Sequence, residues 1–225
     1  MAKKVTSNPK RKAIVVAFGR FQPPTAGHQL LINSVQDYAT KIGVEHAMFS
    51  SRSHDPEKNP LSPSKKFKWL KRIFPQANFM NVPSVLTPYD MVVYLAEAGY
   101  TDVILMGGSD RAVMYKSFER LITATKERKK VPLQSITFKQ AGAKRDPNAK
   151  GVAGLSGTEL RKAVTDNKFK VFVSGLPTGI SSLDAKGLFA DLRATIKEDT
   201  FHHTTNGIRS FKEHWMATAS KLAFK

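Results

Sequence analysis

The chain is expected to fold as an α/β protein: a doubly wound parallel sheet of five strands, with helices on both faces and a C-terminal helical extension. Three observations lead there. Short continuous apolar runs rich in β-branched residues recur, as in Ala13-Ile-Val-Val-Ala-Phe18 and Asp102-Val-Ile-Leu-Met106, the pattern of strands buried on both faces. Between such runs lie stretches with helical apolar spacing, and that alternation makes βαβ units on a parallel sheet. The third is size: 225 residues with 41% hydrophobic content suffice for one large domain with an appendage and exclude wholesale disorder.

Met1–Lys12 is basic, polar and carries Pro9, so it reads as a flexible arm. Ala13–Phe18 is the first strand, and Gly19–Gly27, with Pro23-Pro24, is the loop after it. His28–Ile42 places apolar residues at 30, 31, 35, 38, 39 and 42, with Gly43 as a helix stop. Val44–Ser50 is the second strand, Ser53–Pro63 a polar loop, and Ser64–Phe74 a basic helix whose apolar face is Phe67, Leu70 and Phe74. Asn78–Val82 is a short third strand, Tyr89–Ala98 a helix ending at Gly99, and Asp102–Met106 the fourth strand. Gly107-Gly-Ser-Asp110 turns into a helix to about Lys126, and Leu133–Phe138 is the fifth strand. Ala141–Gly154 is a long polar loop before a helix over Ser156–Asp166. Ser174–Ser182 is turn-rich, Leu183–Ile196 helical, and Phe201–Lys225 irregular with a helix near Ser210–Leu222. Residues 176–225 form the extension, expected to dock onto the sheet or onto a second copy of the chain, which leaves a homo-oligomer open.

The 36 Lys and Arg outnumber the 18 Asp and Glu, for a net charge of +18. The excess is distributed, and it raises the local concentration of polyanions such as nucleotides, phosphorylated metabolites or nucleic acid. The absence of cysteine excludes a disulfide framework, thiolate catalysis and zinc–thiolate sites. No apolar run approaches the ~18 residues of a membrane span. The six-residue apolar run after the basic start leads into Gly-Arg rather than a small-residue cleavage site, which argues against a signal peptide. A cytoplasmic protein without a membrane partner is expected.

Three segments sit where an α/β sheet places its ligands, at the carboxyl ends of strands. They are Gly19-Arg-Phe-Gln-Pro-Pro-Thr-Ala-Gly-His28, Gly107-Gly-Ser-Asp-Arg111 and Gly154-Leu-Ser-Gly-Thr-Glu-Leu-Arg161. Each leads into a helix start, which offers unpaired N–H groups and a dipole favourable to anions. Gly19 lacks a Cβ and so lets the backbone approach a ligand. His28 can donate to a phosphate oxygen, Ser156 and Thr158 straddle a helix N-cap, and Arg161 supplies a guanidinium fork one turn later. Positioned donors around a phosphorus suffice for nucleotidyl transfer without a protein nucleophile. Lys65, Lys66, Lys68, Lys71 and Arg72 form a basic cluster beside these segments, read mainly as a solvated face. His202-His203 with His214 fits no standard metal spacing, so no resident metal is expected.

These residues resemble the nucleotidyltransferase superfamily, whose signatures are a His-x-Gly-His element and a late Ser-x-Thr-x-x-Arg element. The nearest resemblance is to nicotinamide-mononucleotide adenylyltransferases, through Gly19–Pro23, Ser53-His54, Asn59-Pro60-Leu61-Ser62 and Ser156–Arg161. The variant Pro-Pro-Thr-x-Gly-His, with Arg145–Pro147, is similar to nucleotidyltransferase-like proteins of tailed phages, which would place the protein in the host cytoplasm. The resemblance covers about residues 13–175. It implies a Rossmann-like fold, a nucleoside triphosphate with Mg²⁺, and attack of an acceptor phosphate on the α-phosphorus with release of pyrophosphate. ATP is the first donor to consider and CTP the nearest variant. It also implies catalytic roles for His28, Thr25 and Arg161, and nucleotide contacts by Gly19, Arg20, Phe21, Gly27, Gly107, Asp110, Ser156 and Thr158. Ser53, His54 and Asn59 would meet the acceptor. Thr25 stands where the family has its first His, so a weakly active or inactive basic protein associated with nucleotides or nucleic acid is the alternative from another class.

Overall fold

A computed structural model describes residues 11–108, 132–141 and 155–196. Five parallel strands, β1 (Ala13–Gly19), β2 (Glu45–Ser50), β3 (Phe79–Met80), β4 (Asp102–Gly107) and β5 (Ser135–Gln140), form one sheet in the order β3-β2-β1-β4-β5. Their neighbours are α1 (Ala26–Ile42), α2 (Pro63–Ile73), α3 (Pro88–Glu97), α4 (Gly157–Thr165), α5 (Phe169–Ser174) and α6, helical through 182–196. This is the expected Rossmann-like, doubly wound α/β fold, and none of these helices is long and apolar enough to cross a membrane.

Strand alternation divides the core. Ile14 and Val16, with Ala47, Phe49, Val103 and Leu105, face α3 through Met91, Val92 and Leu95. Val15 and Ala17, with Met48 and Met106, face α1 and α2 through Ile32, Val35 and Leu70. Because successive side chains point to opposite faces, each apolar run serves two cores at once. That is why β1 and β4 are apolar throughout.

Three elements have a boundary two or more residues from the expected one. The first helix begins at Ala26 rather than His28, because Thr25 is its cap. The fifth strand starts at Ser135 rather than Leu133: the N–H groups of Gln134 and Ser135 both meet Thr101 O, and Leu133 is buried against the α3 side before pairing begins. The expected strand Asn78–Val82 shortens to the two residues that pair with Met48 and Phe49. α5 was not expected at all; its six residues bury Phe172. Such a short segment has too few turns to show a helical period.

Residues 176–196 dock on α2 and α4 of the same chain. Leu176, Ala185, Leu188, Phe189 and Leu192 join Trp69, Leu160 and Val164 in a third apolar cluster. Trp69 Nε1 donates to Asp191 at 2.9 Å, and a Cβ on Gly187 would lie 2.9 Å from the Trp69 ring. The basic face of α2 is therefore not simply solvated. Lys65 pairs with Asp191 at 3.2 Å, Arg72 binds Asp184, and Lys71 lies over the Phe67 ring.

Candidate functional site

The strand order reverses between β1 and β4, and a crevice at the carboxyl ends of strands beside such a switch point is where open α/β sheets bind ligands. The loop leaving β1 is arranged around Phe21. This residue adopts a left-handed backbone conformation, φ 51°, which folds its ring back over Gly19. A Cβ on Gly19 would lie 2.7 Å from that ring. Gly19 is thus required by the protein's own side chain. Phe21 is wholly buried, edge-on to Phe79 at 5.3 Å and tilted against His28 at 4.6 Å. Its ring packs inside the protein, under the loop that leaves β1. Arg20, by contrast, is exposed.

Thr25 and His28 close the start of α1 as a capping box. Thr25 Oγ1 accepts from His28 N–H at 3.3 Å, and Thr25 N–H donates to His28 Nδ1 at 3.0 Å. His28 fills the place usually taken by Glu or Gln. Thr25 is only 3% exposed, and its hydroxyl lies 2.9 Å from His28 Nδ1. The Thr25 hydroxyl thus takes part in the cap. Ala26 N–H donates to Gly175 O at 3.0 Å, so this helix start is partly closed to anions and Gly27 is left in its first turn.

Ser156 caps α4 in the same way, accepting from Glu159 N–H at 3.2 Å while its own N–H meets the Glu159 carboxylate. Its hydroxyl, too, is used by the helix. The exposed Thr158 and the first-turn amides of Gly157 and Thr158, which have no intrahelical acceptor, remain as donors. Arg161 NH1 donates to Gln22 O at 2.6 Å and its NH2 to Thr158 Oγ1 at 3.0 Å. A Cβ on Gly157 would come within 3.3 Å of Gln22 O, so glycine permits this approach.

Gln22 joins three segments. Besides receiving Arg161 on its carbonyl, it donates through Nε2 to Leu61 O at 2.7 Å and accepts Leu61 N–H on Oε1 at 3.0 Å. It is 2% exposed. The loop over 51–62 is thereby tied to the β1 loop, and Ser51 N–H adds a bond to Gly19 O at 3.0 Å. Within that loop Ser53 and His54 are exposed, while Asn59 is buried. The Asn59 amide donates to Asp55, which makes it part of the loop's own turn, although its Oδ1 is buried without a partner. Gly107 ends β4 and accepts from Ala141 at 2.9 Å. Asp110, Arg145–Pro147, the helix toward Lys126 and the three late histidines lie outside the described residues.

Lys66 was legible only as one of five basic residues. It is 1% exposed, its ammonium donates to Ser51 O and Ser51 Oγ, and no carboxylate pairs with it among the described residues. Burial, and then the nearby Arg52, push its pKa down to about 8. Arg161 is likewise held below its ordinary value by burial and by Arg20, with Asp55 and Glu57 opposing. An unpaired buried cation costs several kcal/mol in principle. Two like-charged pairs at one end of the sheet form a field that a bound anion would relieve. No group of three or more His, Asp or Glu suited to a metal occurs among the described residues.

No family model matches the chain, and no curated protein matches it. Among solved structures, it is similar to Thermotoga maritima TmcAL bound with alpha-thio ATP, at 12% identity over 83% of this chain and 56% of that one, TM-score 0.45. The apo form of TmcAL gives 11% identity, 83% and 57% coverage, and a TM-score of 0.46. A macrolide-efflux protein from Streptococcus pneumoniae gives 17% identity, 75% and 66% coverage, and a TM-score of 0.41. The chain spans a little over half the length of the two TmcAL chains. Its chemistry is therefore read from its own residues.

Proposed function

We propose that this protein is a nucleotide-utilising enzyme, a nucleotidyltransferase that passes an adenylyl group from ATP to a phosphorylated acceptor such as nicotinamide mononucleotide. The observation that supports this most directly is the Arg161–Gln22 bond. It sets the Ser-x-Thr-x-x-Arg helix against the Gly-Arg-Phe-Gln loop, at the strand ends from which His28 also projects.

In this reading an acceptor phosphate oxygen attacks the α-phosphorus, the bond to the α–β bridging oxygen breaks, and pyrophosphate leaves with the electron pair. Thr158, the first-turn amides of α4 and the guanidinium groups of Arg161 and Arg20 hold the leaving phosphates. His28 donates to the phosphate under attack, where charge gathers in the transition state. Lys66 and Arg52 offset the charge of the acceptor, beside Ser53 and His54. Mg²⁺ enters with the triphosphate on phosphate oxygens, as is usual for this ion.

Pyrophosphate release, measured for each nucleoside triphosphate against a panel of phosphorylated acceptors, tests the proposal. ATP with nicotinamide mononucleotide is the first pair, and CTP in place of ATP identifies the cytidylyltransferase variant. Turnover should be lost in His28→Ala. The charge of +18 favours a second reading, a basic nucleotide- or nucleic-acid-associated protein without turnover. Absence of turnover with every pair, together with salt-sensitive nucleic-acid binding, would replace the first reading by the second.

A further inference from the structure

We infer that Thr25 is a positioning residue, which holds the His28 imidazole neutral with its proton on Nε2. The inference rests on the proposed role of His28 for its catalytic meaning but not for its structural content. A backbone N–H can only donate. Thr25 N–H lies 3.0 Å from His28 Nδ1, so Nδ1 must present a lone pair there and cannot carry a proton. A neutral imidazole without a proton on Nδ1 has it on Nε2.

The hydroxyl of Thr25 agrees with this assignment. It accepts from His28 N–H at 3.3 Å and lies 2.9 Å from Nδ1. With Nδ1 an acceptor, the hydroxyl donates to the ring with its proton and receives the backbone amide on oxygen. Both capacities of a Thr side chain are used at once. The ring is also fixed in orientation by Phe21, whose centroid lies 4.6 Å away. Nδ1 is thus committed to the first turn of α1, and the ring's donor is Nε2–H. This makes His28 a hydrogen-bond donor of fixed direction. It also gives residue 25 a task that a short hydroxyl performs and for which reach and charge are not needed.

Ring ¹⁵N shifts of the full chain, labelled at its six histidines, read the tautomer directly near neutral pH, with His28→Gln assigning the His28 signals. The expected pattern is Nδ1 unprotonated and Nε2 protonated. A ring protonated on Nδ1, alone or together with Nε2, would overturn the inference. Thr25→Ser should keep the wild-type pattern; Thr25→Val keeps the backbone donor to Nδ1 and hence the tautomer, but without the hydroxyl 2.9 Å from Nδ1 its Nδ1 shift should move. Where turnover is found, Thr25→Val should also lower kcat roughly tenfold at little change in KM, as loss of a group that orients a ligand's ring does, and Thr25→Ser should rescue it. A Thr25→Val chain with unaltered ring shifts would deny the side chain this role. If no triphosphate reacts at all, the proposed activity fails while the ring shifts still decide the tautomer.

Discussion

The starts of α1 and α3 are nearly superimposable in backbone and opposite in chemistry. Thr25 caps α1 at φ −130°, ψ 165°, and Thr87 caps α3 at φ −128°, ψ 164°. Both close a reciprocal capping box with the residue three positions on. In α3 that residue is Asp90, whose carboxylate accepts from Thr87 N–H at 2.9 Å and complements the positive end of the helix dipole. In α1 it is His28, which offers no negative charge to the dipole. An acidic residue there would favour the helix by about 0.3–1 kcal/mol. Both helices start after the carboxyl end of a strand, and at the α1 start the loop from β1 also receives Arg161 through Gln22. If His28 serves as the proposed donor to a phosphate, a stabilising choice has been given up for function, the stability–activity trade-off in miniature.

The hardest test of that contrast is to make α1 resemble α3. His28→Asp should stabilise the fold by about 0.3–1 kcal/mol in thermal or urea unfolding. It should also reduce turnover by about 10²–10³, the effect of losing one donor to a transition-state charge, since a carboxylate repels the phosphate. A variant that is more stable and fully active would place the functional centre elsewhere.

Lys66 extends the contrast to buried charge. Its counterpart is Asp102 at the opposite strand ends, which receives Arg11, Thr101 and Ser135; the Arg11 hydrogen bond above all holds that carboxylate well below the ordinary range. Among the described residues no carboxylate pairs with Lys66, whose ammonium donates to Ser51 instead. With a folded pKa of about 8 against 10.5, the folded state gives up its proton first, so the unfolded chain binds more protons between those values. Stability then rises with pH across that window, and the penalty is complete below it. Lys66→Met should stabilise the protein by about 2–3 kcal/mol at neutral pH, a gain that shrinks as pH climbs from 8 toward 10.5 in urea unfolding. Triphosphate turnover should fall in the same variant.

Gln22→Met removes both bonds to Leu61 while keeping the carbonyl that receives Arg161. Leaving a buried donor and acceptor unpaired should cost about 2 kcal/mol. The KM for the acceptor should rise more than that for the triphosphate, because only the loop over 51–62 is released. Equal changes in the two constants would mean that Gln22 does not separate these subsites. The smallest effect belongs to the remote helix: Thr87→Ala should cost about 1 kcal/mol of stability and leave turnover unchanged. A loss of activity there would break the division between the two caps.

Much of the site could be read from residues in a row. The helix start at Ser156, the glycine stop after α1 and the strand-end position of His28 follow from short-range spacing, since capping and periodicity are local. Thr25 was seen at sequence level as a deviation from His-x-Gly-His, but its role depended on a ring folding back three residues. Ser156, expected to touch phosphate, spends its hydroxyl on its own helix. The packing of the Phe21 ring on Gly19 was not legible, because a glycine-rich loop does not disclose what fills the space beside it.

The order of strands and helices, the two-faced apolar runs and the helix caps were determined by the sequence itself, because each depends on residues within a turn or two of one another. Tertiary structure alone decided that Lys66 is buried, that Lys65 and Arg72 hold α6 through Asp191 and Asp184, and that Gln22 ties Leu61 and Arg161 together. Those partners lie 39 to 139 residues apart in the chain. Burial and pairing at such separations arise from the packing of whole elements, and no local pattern carries them.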